Sequence, residues 1–112
     1  MSNSNAITAY AKDALKIFGS AIKTHRIDKN ISQANLAERI RSSRKTVAAI
    51  ESGSPTVAIG KVFEAAAIVG LVLFDADERL IGKMAAQERR LEPLLPKSIS
   101  KTNTNKKVDN DF

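Results

Sequence analysis

The sequence predicts an all-α protein whose main part is a compact unit of four to five helices. Apolar residues recur at helical spacing through most of the chain. There is no sustained two-residue alternation, and no internal repeat. Short polar residues, Gly and Pro fall between the periodic stretches, where helices stop and turns begin. A length of 112 residues suits one main domain, and 43% apolar residues can furnish its core.

Taken in order, Ala11, Leu15, Phe18 and Ile22 form one stripe of a first helix from about Ile7 to Arg26. Asp28, Lys29 and Asn30 break it. Ser32 can cap a second helix with Leu36, Ala37 and Ile40 turned inward; Asn35 stands where a capping box would put Glu. Arg41 and Ser42 leave room only for a tight helix–helix turn. Ser43 can cap a third helix, with Val47 and Ile50 facing in and Gly53 as its stop.

Ser54-Pro55-Thr56 then breaks the chain. A fourth helix is expected from Val57 to Val69, burying Ile59, Val62, Phe63, Ala66 and Val69, and ending at Gly70. Leu71 to Phe74 reads as a short extended segment, because strands favour bulky and β-branched residues. Helical spacing returns from Asp75 to Arg90 with Leu80, Met84 and Leu91, and Pro93 and Pro96 end it. From Lys97 on, little is left to bury, which reads as a disordered tail. The expected divisions are residues 7–74, an appended helix over 75–96, and a flexible basic tail over 97–112.

Composition narrows the function. Lys and Arg number 18 against 12 Asp and Glu, a net charge of +6. Residues 1–54 hold nine basic and four acidic side chains, a net of +5, whereas residues 55–96 hold five and six. Positive charge concentrated on one half suits a polyanion such as nucleic acid, although a solvated helix face gives the same count. Cysteine is absent and His25 is the single histidine. That removes disulfides, thiolate sites and His-rich metal cages, so the sequence reads as a non-enzyme with no metal or cofactor.

No export signal is seen at the N-terminus, and the longest apolar run, Ala65 to Phe74, is ten residues. A bacterial cytoplasmic protein is expected, nucleoid-associated when bound to DNA. Three further signals fail. GSPTVAIGK has the wrong glycine spacing for a phosphate-binding loop. His25 has no patterned catalytic partner. Asp75, Asp77 and Glu78 suit a helix start better than a cation. Aromatic stacking on RNA is equally weak, with Tyr10 and Phe18 alone in the basic half.

The informative stretch is SQANLAERIRSSRKTVAAIESG, Ser32 to Gly53. Two short helices across a tight turn cross steeply, and the small Ala37 suits their closest approach. The second begins with Ser43, Arg44, Lys45 and Thr46, while Val47 and Ile50 hold its other face to the core. Long donors then project from a helix start, the geometry that reads base edges in a major groove.

The pattern Ser32-Gln33-x-x-Leu36-Ala37-x-x-Ile40, then Ser43-x-x-Thr46-Val47-x-x-Ile50-Glu51-x-Gly53, resembles the helix-turn-helix domain of Xre/Cro/lambda-repressor-type regulators. The resemblance runs from about Leu15 to Leu71 and implies a lambda-repressor-like fold and a sequence-specific repressor. It implies base reading by Arg44, Lys45, Thr46 and Ala48, with Ala49 nearby. It also implies phosphate contacts from Ser32, Gln33, Arg41 and Ser43, and an internal ion pair between Arg26 and Glu51. Where many members have Gly in the turn, this chain has Arg41. If that residue takes positive φ, Arg costs roughly 1 kcal/mol relative to Gly; otherwise the turn differs and Arg41 becomes a phosphate contact.

Pro55-Thr56-Val57-x-Ile59-Gly60-x-Val62, the following apolar helix and the charged tail are similar to HipB-type antitoxins. That likeness implies a homodimer on a palindromic operator, an autoregulated toxin–antitoxin operon and a HipA-type kinase toxin as partner. A short strand pairing across the dimer would use Leu73 and Phe74. The terminal Phe112 is a candidate anchor for a partner groove. A free-standing phage-like or metabolic regulator, or an adaptor that has lost DNA binding, would carry the same motif.

Overall fold

The computed structural model describes residues 6–98. Five α-helices appear in it: α1 (Ala9–Asp28), α2 (Gln33–Arg39), α3 (Arg44–Ser52), α4 (Ile59–Ile68) and α5 (Glu78–Leu91). A single 3₁₀ turn, Glu92–Leu94, follows. The chain forms two compact units, one ending at Asp75 and the other beginning at Ala76.

In the first unit, each of the first three helices starts on a side-chain cap. The Thr8, Ser32 and Ser43 hydroxyls accept from the backbone N–H of Ala11, Asn35 and Thr46 at 3.0–3.1 Å. The ends of α1 to α4 share one solution. The Asn30, Arg41, Gly53 and Gly70 amides bond back three residues, and the next amide in each case bonds back five, at 2.8–3.1 Å. This is the Schellman closure, and it places those four residues in the left-handed region with φ of 57°, 54°, 84° and 82°. Asn and Gly reach that region easily; Arg41 does not.

Helix α1 packs on α3, and α2 packs on both α3 and α4. Ile22, Leu36, Ala37, Ile40, Val47, Ile50, Ala65, Ala66 and Val69 form the buried core, with Phe18, Val57 and Leu71 against its edge. The backbone makes close demands where α1 crosses α3. A Cβ on Gly19 would strike the Ile50 carbonyl oxygen and lie 2.8 Å from that of Glu51. Only a residue without a side chain lets the two helices approach this closely.

The fourth helix departs from expectation. It starts at Ile59, two residues late, and Ile59 is 69% exposed while Ala65 is fully buried. The inward stripe is Val62, Ala65, Ala66 and Val69. Because α4 is apolar nearly all round, its periodicity does not select which face turns inward. The expected pairing strand at Leu71–Phe74 is also corrected: no strand forms among the described residues. Leu73 packs against the core, and Phe74 and Asp75 both take positive φ, 53° and 57°, which turns the chain instead of extending it.

In the second unit, α5 begins at Glu78, later than the expected Asp75, because Asp77 caps it by accepting from the Leu80 amide at 2.9 Å. None of its residues is buried. Residues 97 and 98 are exposed. The remainder of the expected tail, with Phe112, lies outside the described residues.

Candidate nucleic-acid interface

The site is built around the start of α3. Ser43 Oγ fixes the first turn by accepting from the Thr46 amide and lies 3.1 Å from Thr46 Oγ1, so one of the two hydroxyls donates to the other. Val47 and Ile50 anchor one face in the core. The residues between point outward. Arg44, Lys45 and Ala48 are exposed, and Thr46 and Ala49 are half-buried. Neither Arg44 nor Lys45 makes an ion pair among the described residues. Two cations at a capped helix start, with no competing anion, are free to meet one from outside.

Around them lie the other expected contacts. Ser32 is exposed, and its oxygen accepts from the Asn35 amide, which leaves the hydroxyl proton free to donate outward. Arg41 is exposed on the turn between α2 and α3. Gln33 is half-buried, and its Nε2 donates to Glu51 Oε1 at 3.0 Å. One amide proton is therefore committed to bracing α3, and the second remains available.

Behind the surface, Arg26 and Glu51 are each 8% exposed and form a two-pronged pair. Arg26 Nε donates to Glu51 Oε2 at 2.6 Å and Nη2 to Oε1 at 3.1 Å. The third prong, Nη1, donates to the Ile31 carbonyl at 2.8 Å. The guanidinium thus joins α1, the loop before α2 and the end of α3, with each of its three nitrogens donating one hydrogen bond. With Gln33 added, three helices converge on one carboxylate. That cluster sets the pose in which α3 presents Arg44 and Lys45.

Two positioning residues escaped the sequence reading. Lys61 on α4 donates from Nζ to the Ile40 carbonyl at the end of α2, which steadies the turn. No spacing signal marks it. Gly19 lets α1 sit on the end of α3; a lone glycine inside a helical stretch was the available signal.

Residues 22–71 match the family model described as helix-turn-helix. That stretch is a helix-turn-helix domain. It takes in the end of α1 and the whole of α2, α3 and α4. The match supports the likeness to Xre-type regulators and a role as a DNA-binding regulator. It stops at Leu71 and says nothing of the HipB-type likeness, part of which lies beyond that residue. No curated protein and no solved structure matches the chain. Among the described residues, no helix is long and apolar enough to cross a membrane, and no group of His, Cys, Asp or Glu could hold a metal ion.

Proposed function

We propose that the chain is a sequence-specific transcriptional repressor that acts as a homodimer on a palindromic operator. The observation that carries this reading is the outward projection of Arg44 and Lys45 from a core-anchored, Ser43-capped helix. Arg44 and Lys45 read base edges, with Thr46 and Ala48 bordering the groove. Ser32, Gln33, Arg41 and Ser43 hold the backbone and set register. The Arg26–Glu51 pair holds the pose. Two such helices related by a dyad meet half-sites about 34 Å apart, or a multiple of that.

Selection of bound fragments from a random DNA library tests the reading and yields the operator. On that operator, Arg44→Ala should lose about 1–3 kcal/mol of discrimination at one base position, with little change on random DNA. An equal loss on operator and random DNA in a gel-shift series means that Arg44 does not read bases.

Within this class, the likeness over Pro55–Val62 supports an autoregulating antitoxin working in the bacterial cytoplasm with a HipA-type kinase toxin. Leu73 and Phe74 are then dimer contacts; Phe74 is 69% exposed and its ring meets Phe63 edge-on at 6.5 Å. A kinase-like gene beside this one, and co-purification of its product, are the expected results. Their absence favours a free-standing regulator.

A further inference from the structure

Helix α5 presents an unusual combination. Leu80, Met84 and Leu91 are each 44% exposed, and a helix of 14 residues with nothing buried is marginal in water. Leu80, Met84, Gln87 and Leu91 follow one another along α5 at intervals of four, three and four. This is a two-heptad seam with one polar member, Gln87.

The charges beside the seam are sorted by sign. On a helical wheel, Lys83 and Arg90 lie along one border of the apolar stripe and Arg79 just outside it. Glu88 lies along the other border, with Glu92 behind it. Pairing with an antiparallel copy is disfavoured, because setting Leu80 against Leu91 brings Lys83 against Arg90 and leaves Glu88 opposite Ile81 with no cation to meet. In a parallel pair, the basic border of each copy faces the acidic border of the other. Lys83 and Glu88 are five residues apart, the separation that joins the two borders of parallel helices. Asp77, the cap, stands exposed at the seam's open N-terminal end, where water screens it from its copy.

We infer that α5 is a parallel dimerisation helix, whose occupant is the α5 of a second copy, held in register by Lys83–Glu88 pairs across the dyad. The inference rests on the proposed dimer and deepens it by adding an interface besides Leu73 and Phe74, and it does not depend on what Arg44 reads.

The test uses the full chain in sedimentation equilibrium without DNA. The wild-type chain should dimerise. Lys83→Glu and Glu88→Lys should each weaken the dimer by about tenfold, because two attractive pairs become repulsive. Lys83→Glu/Glu88→Lys should restore it, and an equimolar mixture of the two single variants should form the heterodimer. These positions are exposed, so circular dichroism should match the wild type at concentrations where each variant is dimeric, and lose only α5 signal as the dimer dissociates.

Orientation is read by disulfide formation, for which the absence of native cysteine gives no background. Leu80→Cys alone should cross-link to itself. If the helices ran antiparallel, like positions would lie about 16 Å apart, beyond the reach of a disulfide. Only a mixture of Leu80→Cys with Leu91→Cys would then react, and the inference would be overturned. A chain that stays monomeric, or a dimer indifferent to all three charge variants, also overturns it. Operator binding in the same samples is scored separately, so that a lost dimer and a lost DNA contact remain distinguishable.

Discussion

Glu51 is the residue on which the interface depends most, although it touches no ligand. Its carboxylate accepts from Arg26 twice and from Gln33 once, and both charged partners are nearly closed to water. Glu51→Ala should therefore destabilise the fold by about 3–5 kcal/mol, mostly because the Arg26 guanidinium is left buried and unpaired. Urea denaturation measures this, and a loss below about 1 kcal/mol would show that the pair is not buried in solution. Gly19→Ala acts on the same junction by overpacking, with an expected loss of about 1–3 kcal/mol and a weaker grip on operator at temperatures where the variant remains folded. Of these residues, Arg26 and Glu51 were legible through the family likeness, since nothing in charge or spacing pairs positions 25 apart. Gly19 was not, because a pattern of apolar residues records what fills a contact and not what must stay empty.

Helix ends carry more information here than helix faces. The closures after α1, α3 and α4 use Asn30, Gly53 and Gly70, residue types that take positive φ readily, and these stops were visible in the sequence. The caps at Ser32 and Ser43 were visible for the same reason: a hydroxyl just before an apolar period has one obvious role. Faces were harder. On α4 nearly every position is apolar, so stripe and back look alike, and Ile59 was assigned inward when Ala65 takes that place. At Leu71–Phe74, β-branched and bulky residues suggested a strand, but Phe74 and Asp75 both turn into the left-handed region, which Asp tolerates and which nothing about Phe74 signals. The one strained closure is Arg41, at φ 54°. Arg41→Gly should relieve it and raise stability by up to about 1 kcal/mol, measured by thermal unfolding, while weakening DNA binding through the lost cation. A variant both less stable and weaker on DNA would mean that the Arg41 side chain supports the turn itself.

At the scale of the molecule, the proposed function separates overall charge from base recognition. Residues 1–54 carry a net charge of +5 whatever sequence they meet, whereas the proposal gives base reading to Arg44 and Lys45 at the exposed start of α3. Phosphate neutralisation releases counterions, so affinity should fall with salt at a slope of about −0.9 for each phosphate engaged. On the proposed dimer, Arg41→Ala removes one such contact per protomer. The slope of log affinity against log salt should become shallower by about 2 for a dimer on a palindromic operator, and by about 1 for one protomer on a half-site, with operator and random DNA losing affinity alike. Gel shifts at four salt concentrations, on full and half operators, decide this. If the change in slope were the same on both lengths of DNA, the two copies would not be engaging the duplex together, and a repressor reading two half-sites through one dyad would have to be abandoned for a monomeric one.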